Sequence, residues 1–185
     1  MASAQIFGLQ FGLSLVVFSL VAVWYVAPTV RPLPLRDALP PLLLLNAMRV
    51  VGLVFLVPQV VDPRLPSSFA DPAAYGDLFA ATLALISAIM LRANASQALR
   101  LALVWLFNIE GTLDLLYAIY QGLAVNLAAN QLGAAWFVPT IYVPALLVTH
   151  MLIFVLLMRG GRARSHDSHA GHHRDAPGEA IASGR

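Results

Sequence analysis

The 185-residue chain contains no cysteine, and every one of its eleven basic residues is arginine. The first absence removes disulfides, thiolate metal sites and cysteine nucleophiles from consideration. Charge is also scarce: only 11% of residues are Asp, Glu, Lys or Arg, against 59% hydrophobic, and the mean hydropathy is +0.78. A soluble domain carries roughly a quarter charged residues, and a globule this small has too little interior to hide so much apolar surface. Disorder of the main body is excluded as well, because disorder needs low hydrophobicity and high charge. The formal charge of +2 is not a nucleic-acid signal. It arises from a basic C-terminal stretch, and the rest of the chain offers no phosphate-binding face. The expected environment is the lipid bilayer, and no nucleic acid is expected as a partner.

About 20 apolar residues are needed to cross a bilayer as a helix. Five segments meet that length, at about 5–27, 39–61, 72–92, 99–122 and 136–158. The fold class expected is therefore all-α, an integral membrane bundle of five transmembrane helices. The first segment lacks the charged flank and A-x-A cleavage site of a signal peptide, and is read as a retained helix. Prolines mark the joints. Pro28, Pro32 and Pro34 are expected to end the first helix, Pro40 and Pro41 to start the second, and Asp71-Pro72 to cap the third. Pro58 and Pro144 fall inside spans and predict kinks. Gly8 and Gly12 form a G-x-x-x-G pair in the first helix.

Arginine counting sets the orientation. Arg31, Arg36, Arg92, Arg100, Arg159, Arg162, Arg164, Arg174 and Arg185 fall on one side, and only Arg64 on the other. That split predicts an N-out, C-in protein of the bacterial cytoplasmic (inner) membrane. The Asn94-Ala95-Ser96 sequon then lies on the cytoplasmic side and carries no glycan.

Ionisable groups in hydrocarbon cost several kcal/mol unless paired or hydrated, so the polar residues within spans are the informative ones. They are Asn46 and Arg49 in the second, Asp77 in the third, Asn108, Glu110 and Asp114 in the fourth, and His150 in the fifth. A rise of about 1.5 Å per residue places Arg49 and Glu110 near the midplane, with Asp114 and His150 each roughly 5 Å away on opposite sides. Arg49 and Glu110 are expected to pair, and Asp77 and Asp114 to share an outer pocket within reach of Arg49. Glu110, Asp114, Tyr117 and Gln121 follow i, i+4, i+7, i+11 and are expected to face the interior together. One arginine against three acids leaves two negative charges in excess, which calls for protonation, a cation or water.

From Arg159 the composition changes to a basic, His-rich tail, 159–185, expected to be disordered and cytoplasmic. His166, His169, His172 and His173 are of the type that chelates a borderline divalent metal. No other cofactor is indicated.

Several short motifs resemble those of a family of small bacterial polytopic inner-membrane proteins without an assigned activity. They are Arg49-x-x-Gly52-x-x-Phe55-Leu56, Leu65-Pro66-x-x-Phe69-Ala70-x-Pro72-Ala73-x-x-Gly76-Asp77, Trp105-x-x-Asn108-x-x-Gly111-x-x-Asp114-Leu115, and Pro139-Thr140-x-x-Val143-Pro144 followed by His150. The likeness covers about residues 46–152. It implies that Arg49, Asp77, Asp114 and His150 belong together, and it supplies no reaction; Glu110 is not part of the pattern.

Three functions are compatible with these observations. The first is an intramembrane polar pocket that binds or passes a proton, cation or small polar solute. The second is a non-catalytic accessory or assembly protein whose polar residues only pack helices, working as a homo-oligomer or with a membrane-protein partner. The third is metal handling through the His-rich tail. An enzyme is least supported, since no nucleophile–base motif, HExxH, phosphate loop or paired haem histidines occur.

Overall fold

The structure is a computed structural model that describes the backbone of residues 1–172 and the side chains of residues 1–160. The described residues are helical, with no named strand, and include five helices long and apolar enough to cross a membrane. We number them α1 (Ser3–Val30), α2 (Leu35–Leu56), α3 (Ser67–Arg92), α4 (Gln97–Ala124) and α5 (Gly133–Gly160), the last continuing as helix to His172. The turns 31–34 and 93–96 and the region around Gly160 gather at one end, where Arg36 Nη2 donates to the Arg92 carbonyl and Gly160 sits against Leu35. The 57–66 and 125–132 connections meet at the opposite end, where Asp62 N donates to Gln131 O at 2.8 Å.

Proline shapes several boundaries differently from the sequence expectation. Helix α1 runs through Pro28, because a five-residue π turn over Ala22–Val26 absorbs the missing donor. Helix α2 starts at Leu35, after an extended Pro34, with Pro40 and Pro41 inside it rather than at its start. Helix α3 likewise starts at Ser67 behind Pro66, so Asp71-Pro72 is not its cap. Pro72 has no N–H for the Ser68 carbonyl, and Gln121 Nε2 supplies the bond at 3.0 Å. Pro58 ends α2 instead of kinking it: the residue before a proline is pushed to extended backbone, and Val57 lies at φ −82°, ψ 115°. The C-terminal stretch expected to be disordered from Arg159 is helical to His172. Arginine and alanine are good helix formers, and α5 provides the nucleus that an isolated helix lacks. Residues 173–185 lie outside the described residues.

Helix α3 is central, packing on both halves of α2 and on α4, whereas α1 leans on α5 and its lead-in turns. Between Ser3 and Val21, α1 buries no residue. The buried stripe of α3 is rich in alanine, including Ala73, Ala74, Ala80, Ala81 and Ala84, and small side chains let helices approach closely. Near the arginine-bearing end, Leu39, Leu42, Leu43, Val104, Ile153 and Leu156 form an apolar core. A second cluster around Phe55, Phe69, Leu127 and Leu132 lies at the other end. The polar site sits between the two.

Candidate functional site

Helix α2 changes its winding where it meets the site. Leu35–Ala47 is α-helical, but Met48–Leu56 is a nine-residue 3-10 helix, far longer than the usual three or four residues. At three residues per turn, Arg49, Gly52 and Phe55 fall on one edge, and these are the buried residues of the segment. Tightening the helix frees the Leu45 carbonyl from its α-helical partner, and Tyr142 Oη donates to it at 2.9 Å.

Arg49 is fully buried. Its Nε donates to Asp77 Oδ1 at 2.7 Å, its Nη1 to the Gly111 carbonyl at 3.1 Å, and its Nη2 to Asp114 Oδ2, with Nη2 also 2.7 Å from Asp77 Oδ1 in an ion pair. One guanidinium thus ties α2 to α3 and α4 in the planar, multi-donor geometry that lysine does not provide. Both carboxylates keep some exposure, 12% for the Asp77 side chain and 14% for Asp114, so the centre is sealed at the arginine and open at the acids.

Close approach depends on three glycines. A Cβ on Gly52 would overlap Asp77 Oδ2, and one on Gly76 would overlap Asp114 Oδ1. A Cβ on Gly111 would lie 2.7 Å from His150 Cε1 and 3.0 Å from both Arg49 Nη1 and His150 Nε2. Each glycine therefore makes the room that lets a charged side chain cross from one helix to the next.

His150 is brought to the same place from α5. Its Nδ1 lies 2.8 Å from Asn108 Oδ1, while Asn108 Nδ2 donates to the His150 carbonyl at 3.2 Å. The amide thus uses its nitrogen as donor, leaving Oδ1 to accept, so Nδ1 carries the proton by this assignment of the network. Nε2 is buried without a partner among the described residues. The ring stacks on Phe107 at 5.1 Å. Asn46, one turn before Arg49, donates from Nδ2 to Leu42 O at 2.8 Å and to Thr149 Oγ1 at 3.1 Å.

The structure therefore brings Arg49, Asp77, Asp114, Asn108 and His150 together, with Asn46 on the neighbouring turn. It separates Glu110 from the expected pairing: Arg49 bonds to the two aspartates, and Glu110 Oε2 has no partner among the described residues. The reason is rotational. The buried stripe of α4 is Val104, Phe107, Asn108, Gly111, Leu115 and Gly122, so Glu110, Asp114 and Tyr117 lie on its flank rather than along its centre. Asp114 reaches inward over Gly76; Tyr117 remains exposed. The three glycines stand in the motifs as spacers between ionisable residues, but nothing in the residue pattern assigned them this work. Tyr142 carried no signal beyond its position two residues after Thr140.

Among the described residues, no group of three or more His, Cys, Asp or Glu side chains is arranged to hold a metal ion. The tail histidines His166, His169, His172 and His173 lie outside the described side chains. No curated protein and no solved structure matches the chain. One family does, over residues 6–158: a domain of unknown function, DUF8737. That match spans α1 to α5 and the whole polar site, and the chain belongs to the DUF8737 family.

Proposed function

We propose that this is a multi-pass protein of a bacterial cytoplasmic membrane, N-terminus outside and C-terminus inside, whose Arg49–Asp77–Asp114 centre binds a proton, a cation or a small polar solute within the bilayer. The orientation is supported by the ends of the bundle. Arg31, Arg36, Arg92, Arg100 and Arg159 belong to one end and Arg64 to the other, and arginine-rich ends stay cytoplasmic.

The observation that carries the functional reading is the inequality of charge. One buried guanidinium faces two carboxylates. When both acids are ionised, a negative charge is left over in a setting where an uncompensated ion is costly. A purely structural pin is served by one acid; the second creates a demand for a positive partner. Arg49 is the fixed counter-ion in this reading. Asp77 and Asp114 are the ligand-binding carboxylates, and His150, held by Asn108, is a secondary polar group.

Infrared difference spectra of the full chain in lipid nanodiscs test this, comparing sodium, potassium and choline buffers and a series of pH values. A carboxylate band that responds to cation or proton concentration is expected, and Asp114→Asn should remove it while the protein stays folded, since Arg49 keeps Asp77. The competing reading is a non-catalytic accessory protein that uses the centre only for packing, and the tight glycine contacts favour it. Under that reading an Arg49→Met/Asp77→Leu/Asp114→Leu variant folds with unchanged or greater stability, and the parent shows no cation- or proton-dependent band.

A further inference from the structure

Beside the polar centre lies a cavity of about 390 Å³, within the size range of small-molecule sites. One wall is α1, through Phe7 and Phe11. The facing wall comes from Phe55, Phe69, Ala73 and Ala118, and the 126–128 turn closes the end. Asp77 is the ionisable residue among its lining residues. Its Oδ1 is taken by Arg49, while Oδ2 lies over Gly52 and accepts no hydrogen bond from the described residues. Because α1 packs on α5 and its lead-in turns rather than on α3 or α4, the cavity borders the lipid-facing surface between α1 and α4.

An occupant of this space needs an apolar body for the phenylalanine walls and a donor for the Asp77 carboxylate. The negative charge left on the centre favours a donor that is also a cation. We infer that the cavity binds a cationic amphiphile entering from the lipid, with its hydrocarbon chain among Phe7, Phe11, Phe55 and Phe69 and its ammonium donating to the Asp77 carboxylate. This assignment rests on the preceding reading that the centre takes a positive partner, and it names the class of that partner.

Trp136 reports on the cavity because its ring stands edge-on to Phe7 at 5.3 Å. The full chain, with Trp24→Phe and Trp105→Phe to isolate that signal, is titrated in nanodiscs with dodecylammonium, dodecanol, dodecanoate and ethylammonium. Half-saturation by dodecylammonium is expected at a concentration at least ten-fold below that of dodecanol or dodecanoate, with no response to ethylammonium in the same range. Asp77→Asn should reduce the preference for dodecylammonium to the level of dodecanol. Ala118→Phe, which fills the cavity and leaves the charges in place, should weaken dodecylammonium at least ten-fold, and it decides the matter if Asp77→Asn does not fold. Equal response to dodecanol and dodecylammonium overturns the ammonium assignment, and indifference to Ala118→Phe overturns the cavity. The infrared response to sodium is read separately. A sodium response without amphiphile preference retains the centre and sinks this inference, while amphiphile preference without a sodium response retains both and narrows the centre's partner to the ammonium.

Discussion

The two halves of the bundle are built by different rules. Towards the arginine-bearing end, Leu39, Leu43, Ala84, Val104 and Ile153 are completely buried, and the α3, α4 and α5 segments that carry the last three are regular α-helix. Towards the other end α2 winds as a 3-10 helix, α5 opens with a 3-10 turn over Gly133–Trp136 followed by a π turn over Val138–Tyr142, and Gln59, Asn126 and Gly133 adopt positive φ. The cavity and the charged centre belong to this irregular half. The difference teaches where regular helix fails. Leucine and alanine are satisfied by any close neighbour, but a guanidinium must meet its acceptors in direction as well as distance. Here the backbone is rewound so that it can.

Glycine substitutions break this comparison most sharply. Gly52→Ala and Gly76→Ala should each destabilise the protein by about 3 kcal/mol, because the new methyl group displaces an aspartate from Arg49, and separating a buried ion pair costs about 3–5 kcal/mol. Gly8→Ala is the control. A Cβ there meets nothing within 4 Å, so the change should be neutral or stabilising by up to about 1 kcal/mol. Thermal unfolding in one detergent, followed by circular dichroism, reads all three. Equal effects at Gly52 and Gly8 would remove the idea that the charged centre is the tightly fitted part of the molecule.

The spans were legible because long apolar runs mark them plainly: each run became a helix, with ends displaced by a few residues. Most displacements trace to proline. Pro34 and Pro66 stand just before the helix starts at Leu35 and Ser67, whereas Pro40, Pro41 and Pro72 are tolerated inside. Spacing alone does not separate these cases, because the outcome depends on whether another group answers the freed carbonyl, as Gln121 does for Ser68. The members of the site were also legible, since buried charge is rare and therefore visible. Their pairing was not. Depth favoured Glu110 as the partner of Arg49, but depth ignores the rotation of α4, and the 3-10 segment that turns Arg49 inward carries no signature in Met48–Leu56 that hydropathy can read.

Filling and emptying the two halves tests the same contrast through packing alone. Leu43→Ala leaves a void in the packed half and should lower stability by about 3 kcal/mol. Ala118→Leu adds volume beside the cavity, where overpacking has room to relax, and should change stability by less than about 1 kcal/mol in either direction. Chemical unfolding of the two variants in the same micelles provides the measurement. If Ala118→Leu proves as damaging as Leu43→Ala, the cavity half is packed as tightly as its counterpart and the contrast disappears.

The smallest effect concerns the connection that closes the irregular half. The Asp62 carboxylate accepts from the Arg64 backbone at 2.9 Å and from its guanidinium at 3.0 and 3.2 Å, while Asp62 N donates to Gln131 O. Hydrogen bonds from the Arg64 side chain, and then from its backbone, hold the Asp62 carboxyl below its usual range. A group whose folded pKa is depressed contributes stability that is present above the unfolded value, about 3.9, and is lost as pH falls through the folded one. Arg64 is exposed, so salt screens the interaction and the effect is local. Hydrogen exchange corrected for intrinsic rates should therefore show residues 57–66 losing protection as pH falls below about 4, earlier in high salt, with the segment around Leu43 unchanged. Asp62→Asn should show the lower protection at every pH and no acid step. An acid step that persists in that variant would place the sensitive group elsewhere, and one that spread to Leu43 would mean that the two halves unfold as a single unit.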